Sequence, residues 1–391
     1  MSPAPETPAH LASVLMLCWR DVGHPQGGGS ESYLQRIGAR LAADGVSVTL
    51  RTAHYDGAPR DELVDGVRVN RAGGRYSVYV WALLAMIGAR LGIGPLRGVR
   101  PDVIIDTQNG LPFFARLVFG RRVVVLVHHC HREQWPLAGP IVARVGWFCE
   151  SWLSPRVHRA NQYVTVSLPS ARDLTDLGVA ANRIAVVRNG RDEVPPQTLQ
   201  SPRSAGPRVA VLSRLVPHKH IEDALDAIAA LRSTISGLHL DVVGDGWWRD
   251  RLVAYAYRLG ITDSVTFHGH VDDTAKHLLM QQAWIHVLPS RKEGWGLAVT
   301  DAAQHGVPTI GYRSSGGLTD SIIDGVTGVL VDDRDELVAR LEDLLTDPLL
   351  RDELGRKAQA RSAEFSWRQT TDGMRAVLES VMAGRTISGL V

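Results

Sequence analysis

Pro289-Ser-Arg-Lys-Glu-Gly-Trp-Gly-Leu-Ala-Val-Thr-Asp-Ala-Ala-Gln-His-Gly-Val-Pro308 decides how this chain is read. The apolar run before it, 283–288 (Ala-Trp-Ile-His-Val-Leu), predicts a buried strand, and the residues after Gly296 have the spacing of an amphipathic helix. Glu293 therefore falls in a tight turn at the C-terminal end of a strand. Gly294 and Gly296, with Trp295 and Leu297 beside them, let backbone approach a ligand, and the helix that follows opens on N–H groups without intrahelical partners. A carboxylate suits sugar hydroxyls; amides at a helix start suit phosphate. Asp301 lies about two helical turns past Glu293 and so returns to the same face. The segment suits a polyhydroxylated ligand with an anionic tail.

A length of 391 residues, with 45% hydrophobic and 21% charged residues, describes a soluble globular chain of two domains. The net charge of +2 is unevenly placed: residues 1–200 hold 22 arginines against 16 acids, and 201–391 hold 21 basic residues against 25 acids. A basic first half can face anionic lipid or an acidic acceptor, although an evenly solvated surface is the simpler reading. Cys18, Cys130 and Cys149 do not make a disulfide framework, so a reducing compartment is expected. No charged region precedes an apolar core at the N-terminus, and the apolar run 78–89 is too short to span a bilayer. A cytoplasmic location follows as the expectation, with a peripheral position on the inner membrane face as the alternative. That alternative comes from 76–100 and 138–159, which mix Trp81, Trp147, Phe148 and Trp152 with arginines and suit either an anionic membrane or helices packed on the domain.

Short Val-rich runs at 12–20, 46–52, 103–106, 123–127 and 162–166 alternate with helical or loop stretches, which predicts a parallel sheet wrapped by helices. A Pro- and Ser-rich stretch, 192–207, marks a boundary, and the pattern restarts at 209–212, 238–243, 264–267, 284–288, 309–312 and 328–331. Two doubly wound α/β domains in series result. Ligands of such sheets bind beyond the carboxyl ends of the strands.

Six further stretches bear on the chemistry. Gly27-Gly-Gly-Ser-Glu31 joins the first strand to a helix and can offer consecutive amides to an oxyanion, or serve as a plain turn. Arg214 and Lys219, in Ser213-Arg-Leu-Val-Pro-His-Lys-His220, stand at the sheet rim where they can neutralise a departing diphosphate or lie solvated. Val127-His-His-Cys-His131 follows a strand; adjacent side chains cannot converge on one zinc, which leaves a structural histidine or a substrate contact, with His128 first by position. Gly244 sits in the turn Val243-Gly-Asp-Gly246, while His270 and Val271 close the run Ser264–Val271, whose backbone could read a base edge. Asp333-Arg-Asp335 matches a metal-binding Asp-x-Asp, but a helix N-cap explains it better, so no metal site is expected.

Taken in order, these residues resemble one family, the retaining nucleotide-sugar glycosyltransferases of family 4. The resemblance covers nearly the whole chain. It runs through Gly28-Gly-Ser-Glu31, His128, Asn189-Gly190, Ser213–Lys219, Val243–Gly246, Glu293–Leu297, Gly316-Gly317, Thr327–Val331 and the closing Phe365-Ser-Trp. It implies the GT-B fold, two Rossmann-like domains facing each other across a cleft: 1–195 on the acceptor side, 205–364 binding the nucleotide sugar, and 365–384 a helix crossing back to the first. It also implies that Glu293 holds donor-sugar hydroxyls and that Asp301, where the family has Glu, takes the acid that holds the ribose. Arg214 and Lys219 would bind the diphosphate, Gly28 and Gly29 approach the phosphates, and His128 lies beside the acceptor.

The implied activity is transfer of a sugar from an NDP-sugar to an acceptor hydroxyl on a polysaccharide, glycolipid or small molecule, with retention, no cofactor and no divalent metal. An NDP-sugar epimerase on the same architecture and a catalytically silent sugar-nucleotide-binding protein are the alternatives, the second resting on Asp301. A nicotinamide dehydrogenase ranks below both, because the dinucleotide fingerprint and its ribose acid are missing. Nucleic acid is not an expected partner.

Overall fold

Runs of valine and isoleucine become strands buried on both faces, as helix-covered parallel sheets require. A computed structural model describes residues 10–391, so the N-terminal stretch read above for a leader begins outside the described residues. The chain divides into two compact units, one made of the residues through Arg188 with Trp367–Val391, the other of Asn189–Ser366.

In chain order the first unit contains β1 (Ser13–Leu17), β2 (Ser47–Thr52), β3 (Asp61–Val64), β4 (Val67–Arg71), β5 (Val103–Thr107), β6 (Val123–Val127), β7 (Gln162–Thr165) and β8 (Ile184–Val186). The second contains β9 (Arg208–Leu212), β10 (His239–Val243), β11 (Val265–Gly269), β12 (Ile285–Leu288), β13 (Thr309–Tyr312) and β14 (Gly328–Val331). The short β15 (Gly389–Leu390) returns to the first.

The first sheet runs β15-β8-β7-β6-β5-β1-β2-β4-β3, parallel except for the β3–β4 hairpin. One face is covered by the Gly29–Ala43 helix, which buries Leu34, Ile37 and Leu41 and packs on the Trp367–Met382 helix. The other carries Val78, Ala82, Ala85 and Met86 of the Val78–Arg90 helix against Leu15, Leu17, Ile104 and Val125. The second sheet runs β11-β10-β9-β12-β13-β14, all parallel, with its main core formed by Val209, Val211, Ile285, Val287 and the Ile221–Leu231 and Arg334–Thr346 helices. The Pro- and Ser-rich stretch is part of this unit: Trp284 donates its indole N–H to the Ser204 carbonyl (2.8 Å), and Arg203 donates to the His305 carbonyl (2.7 Å).

The strand orders locate the binding edges. In the second sheet the chain lays down β9, β10 and β11 in one direction, then β12, β13 and β14 in the other. Its loops diverge between β9 and β12, a topological switch point. In the first sheet the same reversal falls between β1 and β5.

Candidate active site

Glu293 and Lys219 come from the two loops that diverge at the second unit's switch point. The segment after β9 makes a short 3-10 turn, Pro217–Lys219, and His220 then adopts φ 46°, in the left-handed region, before the Ile221–Leu231 helix begins. A non-glycine residue costs free energy there. Its effect is to hold Lys219 at the rim. The loop after β12 is tied to this turn by the Arg291 amide, which donates to the His218 carbonyl (3.1 Å). The Glu293 amide donates to Ser315 O (2.9 Å), and the Gly317 amide donates to Glu293 O (3.1 Å). A Cβ at Gly317 would lie 2.3 Å from the Gly294 carbonyl oxygen, so glycine is required where the two loops meet.

Held in this way, the Glu293 carboxylate forms an ion pair and hydrogen bond with the Lys219 ammonium, both side chains being mostly buried. Burial pushes the carboxyl up, but Lys219 outweighs it and the Glu293 pKa ends below its ordinary value. Glu293 is therefore ionised at neutral pH. Gly296, at φ 87°, caps the Leu297–Gln304 helix, whose first amides face the end of the sheet where ligands bind.

Asp301 projects from that helix and meets Lys276, on the Asp273–Gln282 helix, at 3.7 Å. Burial raises the Asp301 carboxyl, Lys276 opposes it, and the nearby Asp192 and Asp273 raise it further. Burial works against the Lys276 ammonium, yet Asp301, Asp273 and Asp192 hold it above the ordinary range. Three acids thus share one cation. Lys276 was not foreseen from the sequence, although a signal existed: in a chain whose basic residues are almost all arginine, the lysines are Lys219, Lys276, Lys292 and Lys357.

The other candidates of this unit take different places. Arg214 is exposed in the loop after β9. Gly244 adopts φ 125°, and a Cβ there would come 2.0 Å from the Ser213 carbonyl oxygen; the turn after β10 presses on the loop after β9 and needs glycine for that contact. His270 is exposed and Val271 packs on a small apolar cluster with Met280 and Ala283, both beyond β11, two strands from the switch point. Trp295 turns inward, 2% exposed, its ring edge-on to Phe365 at 5.0 Å. It anchors the turn from below. Asp333 accepts a hydrogen bond from the Glu336 amide (2.9 Å) and caps the Arg334–Thr346 helix.

In the first unit the glycine loop follows β1, at that sheet's switch point. The Gly28 amide is already engaged: it donates to Glu31 Oε2 (2.8 Å), whose other oxygen pairs with buried Arg20 (3.1 Å). Gly29 opens the helix. Glu31 is therefore the organiser of the loop, a role missed in the sequence. His128, after β6, is buried with its ring edge-on to Tyr33 (5.1 Å) and its Nε2 has no hydrogen-bond partner. Burial lowers its pKa to about 4, so the imidazole is neutral at pH 7. The neighbouring histidines do not converge with it. His131 bonds Glu150 (3.2 Å), and His129 contacts Gln134 (2.8 Å). Among the described residues no group of three or more His, Cys, Asp or Glu side chains could hold a metal ion.

Comparison with known proteins fits this arrangement. The family model described as glycosyl transferases group 1 matches residues 200–361, and that of the glycosyl transferase 4-like domain matches 28–190. Glycogen synthase of Mycobacterium tuberculosis is 30% identical over 87% of this chain and 88% of its own length. Among solved structures, sucrose-phosphate synthase from Thermosynechococcus elongatus superposes with a TM-score of 0.80 at 20% identity, covering 95% of this chain and all of that one. Anabaena HepE in complex with UDP-glucose gives a TM-score of 0.72 at 20% identity, again over 95% of this chain and 100% of the other. The chain belongs to the group 1, family 4-like glycosyltransferases. It is a GT-B glycosyltransferase.

Proposed function

We propose that this glycosyltransferase moves a hexosyl group from a nucleoside-diphosphate sugar to an acceptor hydroxyl, with retention at the anomeric carbon. The carrying observation is the Lys219–Glu293 pair, an acid suited to sugar hydroxyls and a cation suited to phosphate, joined at the switch point of the second sheet. HepE, which shares the fold, binds UDP-glucose, and a donor of that class has the parts this site can grip.

As the anomeric C–O bond ionises, positive charge develops on the sugar and negative charge on the β-phosphate. Lys219, shifting from Glu293, and Arg214 would stabilise the phosphate together with the first amides of the Leu297–Gln304 helix. Glu293, freed of Lys219, would accept hydrogen bonds from the sugar hydroxyls. The departing phosphate oxygen would take the acceptor's proton on the same face, so that no protein nucleophile is needed. Asp301 and Lys276 would meet the ribose. Neutral His128, in the first unit, is suited to a hydroxyl of the acceptor other than the attacking one, because it can accept a hydrogen bond at Nε2. Two side-chain cations supply the charge that other transferases take from a divalent metal.

The test is to incubate the protein with UDP-, ADP- and GDP-hexoses and candidate acceptors while following NDP release and the anomeric configuration by NMR. An α-linked product from an α-donor supports the reading; an inverted product rejects retention. Conversion of the donor sugar without an acceptor would make the protein an epimerase. One observation favours a silent binding protein: the Asp301 carboxyl is already paired with Lys276 and raised. Thermal stabilisation by NDP without turnover of any donor would establish that reading instead.

A further inference from the structure

Two helices of the first unit carry an apolar stripe on their outward faces as well. Of the 25 large hydrophobic residues exposed among the described residues, 12 fall in 76–93 and 141–152, so the exposure is concentrated rather than scattered. On the Val78–Arg90 helix the inward face holds Val78, Ala82, Ala85, Met86 and Gly88, while Val80, Leu84, Ile87 and the following Leu91 form a second apolar stripe that faces outward, flanked by Trp81. Trp81 is 51% exposed and Leu84 54%. The Pro140–Phe148 helix repeats the pattern: Ala143 and Gly146 turn inward, and Ile141, Val145, Phe148 and Trp152 turn outward at the same spacing. Ordinary surface helices place polar residues on that face.

Both helices lie against one loop, residues 109–115. Tyr79 packs on Phe113 (4.8 Å), Trp135 sits where a Cβ on either Gly110 or Gly146 would be, and Phe114 stacks on His158 (6.0 Å), just past the second helix. The surroundings are strongly basic. Residues 66–160 hold 13 arginines against four acids, Asp102, Asp106, Glu133 and Glu150, and two of those acids, Asp106 and Glu150, are buried. Arg90, Arg97, Arg100, Arg144 and Arg159 are exposed, and Arg156 lies over the Trp152 ring at 4.1 Å. A soluble polyanion would explain the arginines but not the aliphatic stripes; a second protein copy would explain the stripes but not the one-sided charge. Lipid explains both.

We infer that these two helices are a docking surface for an anionic bilayer, lying in the interface with the outward stripes in the acyl region and the arginines among the headgroups. No helix of the described residues is long and apolar enough to cross a membrane, so the contact is peripheral.

Sedimentation of the full chain with vesicles tests this. Vesicles in which about a third of the lipid is phosphatidylglycerol should carry the protein down at low ionic strength, and phosphatidylcholine vesicles should carry about tenfold less. Raising salt to about 0.5 M should reduce binding to the anionic vesicles several-fold. The double variants Trp81→Ser/Leu84→Ser and Ile141→Ser/Phe148→Ser should each lose about tenfold in binding, with thermal melts unchanged because the replaced side chains face outward. Arg97→Glu/Arg100→Glu should lose binding while retaining both stripes. Equal sedimentation with neutral and anionic vesicles would overturn the inference, as would no sedimentation with either. A stable dimer in solution that the stripe variants dissociate would assign the surface to a second copy instead.

Discussion

Lys219 reaches from the turn after β9 to the Glu293 carboxylate in the turn after β12, so the two groups neutralise each other. Under the proposed function a nucleotide sugar would exchange that pairing for a phosphate on Lys219 and hydroxyls on Glu293. The arrangement keeps a mostly buried carboxylate ionised without leaving it uncompensated.

Removing either member should therefore have separable consequences. Glu293→Gln should lower kcat at least about 100-fold, because the lost interaction acts on the developing charge. Lys219→Ala should lower activity similarly and also cost about 2–3 kcal/mol of stability, since a buried carboxylate is left unpaired. The double variant Lys219→Met/Glu293→Gln should recover most of that stability and none of the activity. Steady-state rates and urea denaturation of all three proteins check this.

Lys276 should govern donor affinity more than turnover. Lys276→Met and Asp301→Asn are each expected to raise KM for the nucleotide sugar about tenfold with kcat changed far less, the pattern of lost binding common to ground and transition states. Comparison of NDP with its 2′-deoxy form by calorimetry locates the effect: wild type should discriminate and both variants should not. Equal discrimination in all three proteins would remove the pair from ribose recognition.

Stability should fall steeply on mild acidification. His128, His158, His277 and His305 are buried, with pKa values lowered to about 4, chiefly by desolvation, and His286 to about 3. The unfolded chain takes up these protons near pH 6.5, whereas the folded chain resists, so the folded state loses stability from about pH 6.5 down to about pH 4. His128, His158 and His286 each contribute up to about 3 kcal/mol over that interval, and His277 and His305, whose ring nitrogens are in contact, act in the same direction as a pair. Thermal melts across this range should show the decline, and His286→Asn should flatten it.

Chelation should leave activity in place. If, as proposed, Lys219 and Arg214 carry the phosphate's charge, EDTA should change the rate by less than about twofold. Loss of activity on chelation, restored by a divalent ion, would return the phosphate charge to a metal.

Asp333 supplies an independent control. As an N-cap, its replacement by alanine should cost about 1 kcal/mol and leave turnover unaffected. A large drop in rate without loss of stability would mean that Asp333-Arg-Asp335 touches substrate.

Much of this was legible in the sequence because parallel strands buried on both faces are written as unbroken apolar runs. The hairpin of β3 and β4 was not, since Asp61–Val64 lies at the sheet edge, partly exposed and without a clear apolar side. Of the glycines read as ligand-facing, Gly296 adopts a left-handed cap, and Gly244 is required by a contact with the loop after β9 that only the fold creates. Trp295 sat in a turn whose neighbours suggested ligand contact, and nothing local indicates that its ring turns inward to Phe365. Lys276 is separated from Asp301 by a whole strand and becomes its partner only through helix packing. The two helices with outward stripes were visible as apolar stretches, but which residues face outward depends on how the helices pack on the sheet and on the 109–115 loop.

The last described residues close the first sheet. β15 pairs with β8, the Gln162 side chain donates to the Ile387 carbonyl (2.8 Å), and the Val391 amide donates to the Val186 carbonyl (3.1 Å). Arg375, on the long helix before it, binds Asp44 (2.5 Å). Hence the first unit is completed only by residues that follow the whole of the second unit in the chain. The continuous second unit can mature before the discontinuous first one, and until Gly389-Leu390 is in place the ladder at β8 stays open to other nascent chains.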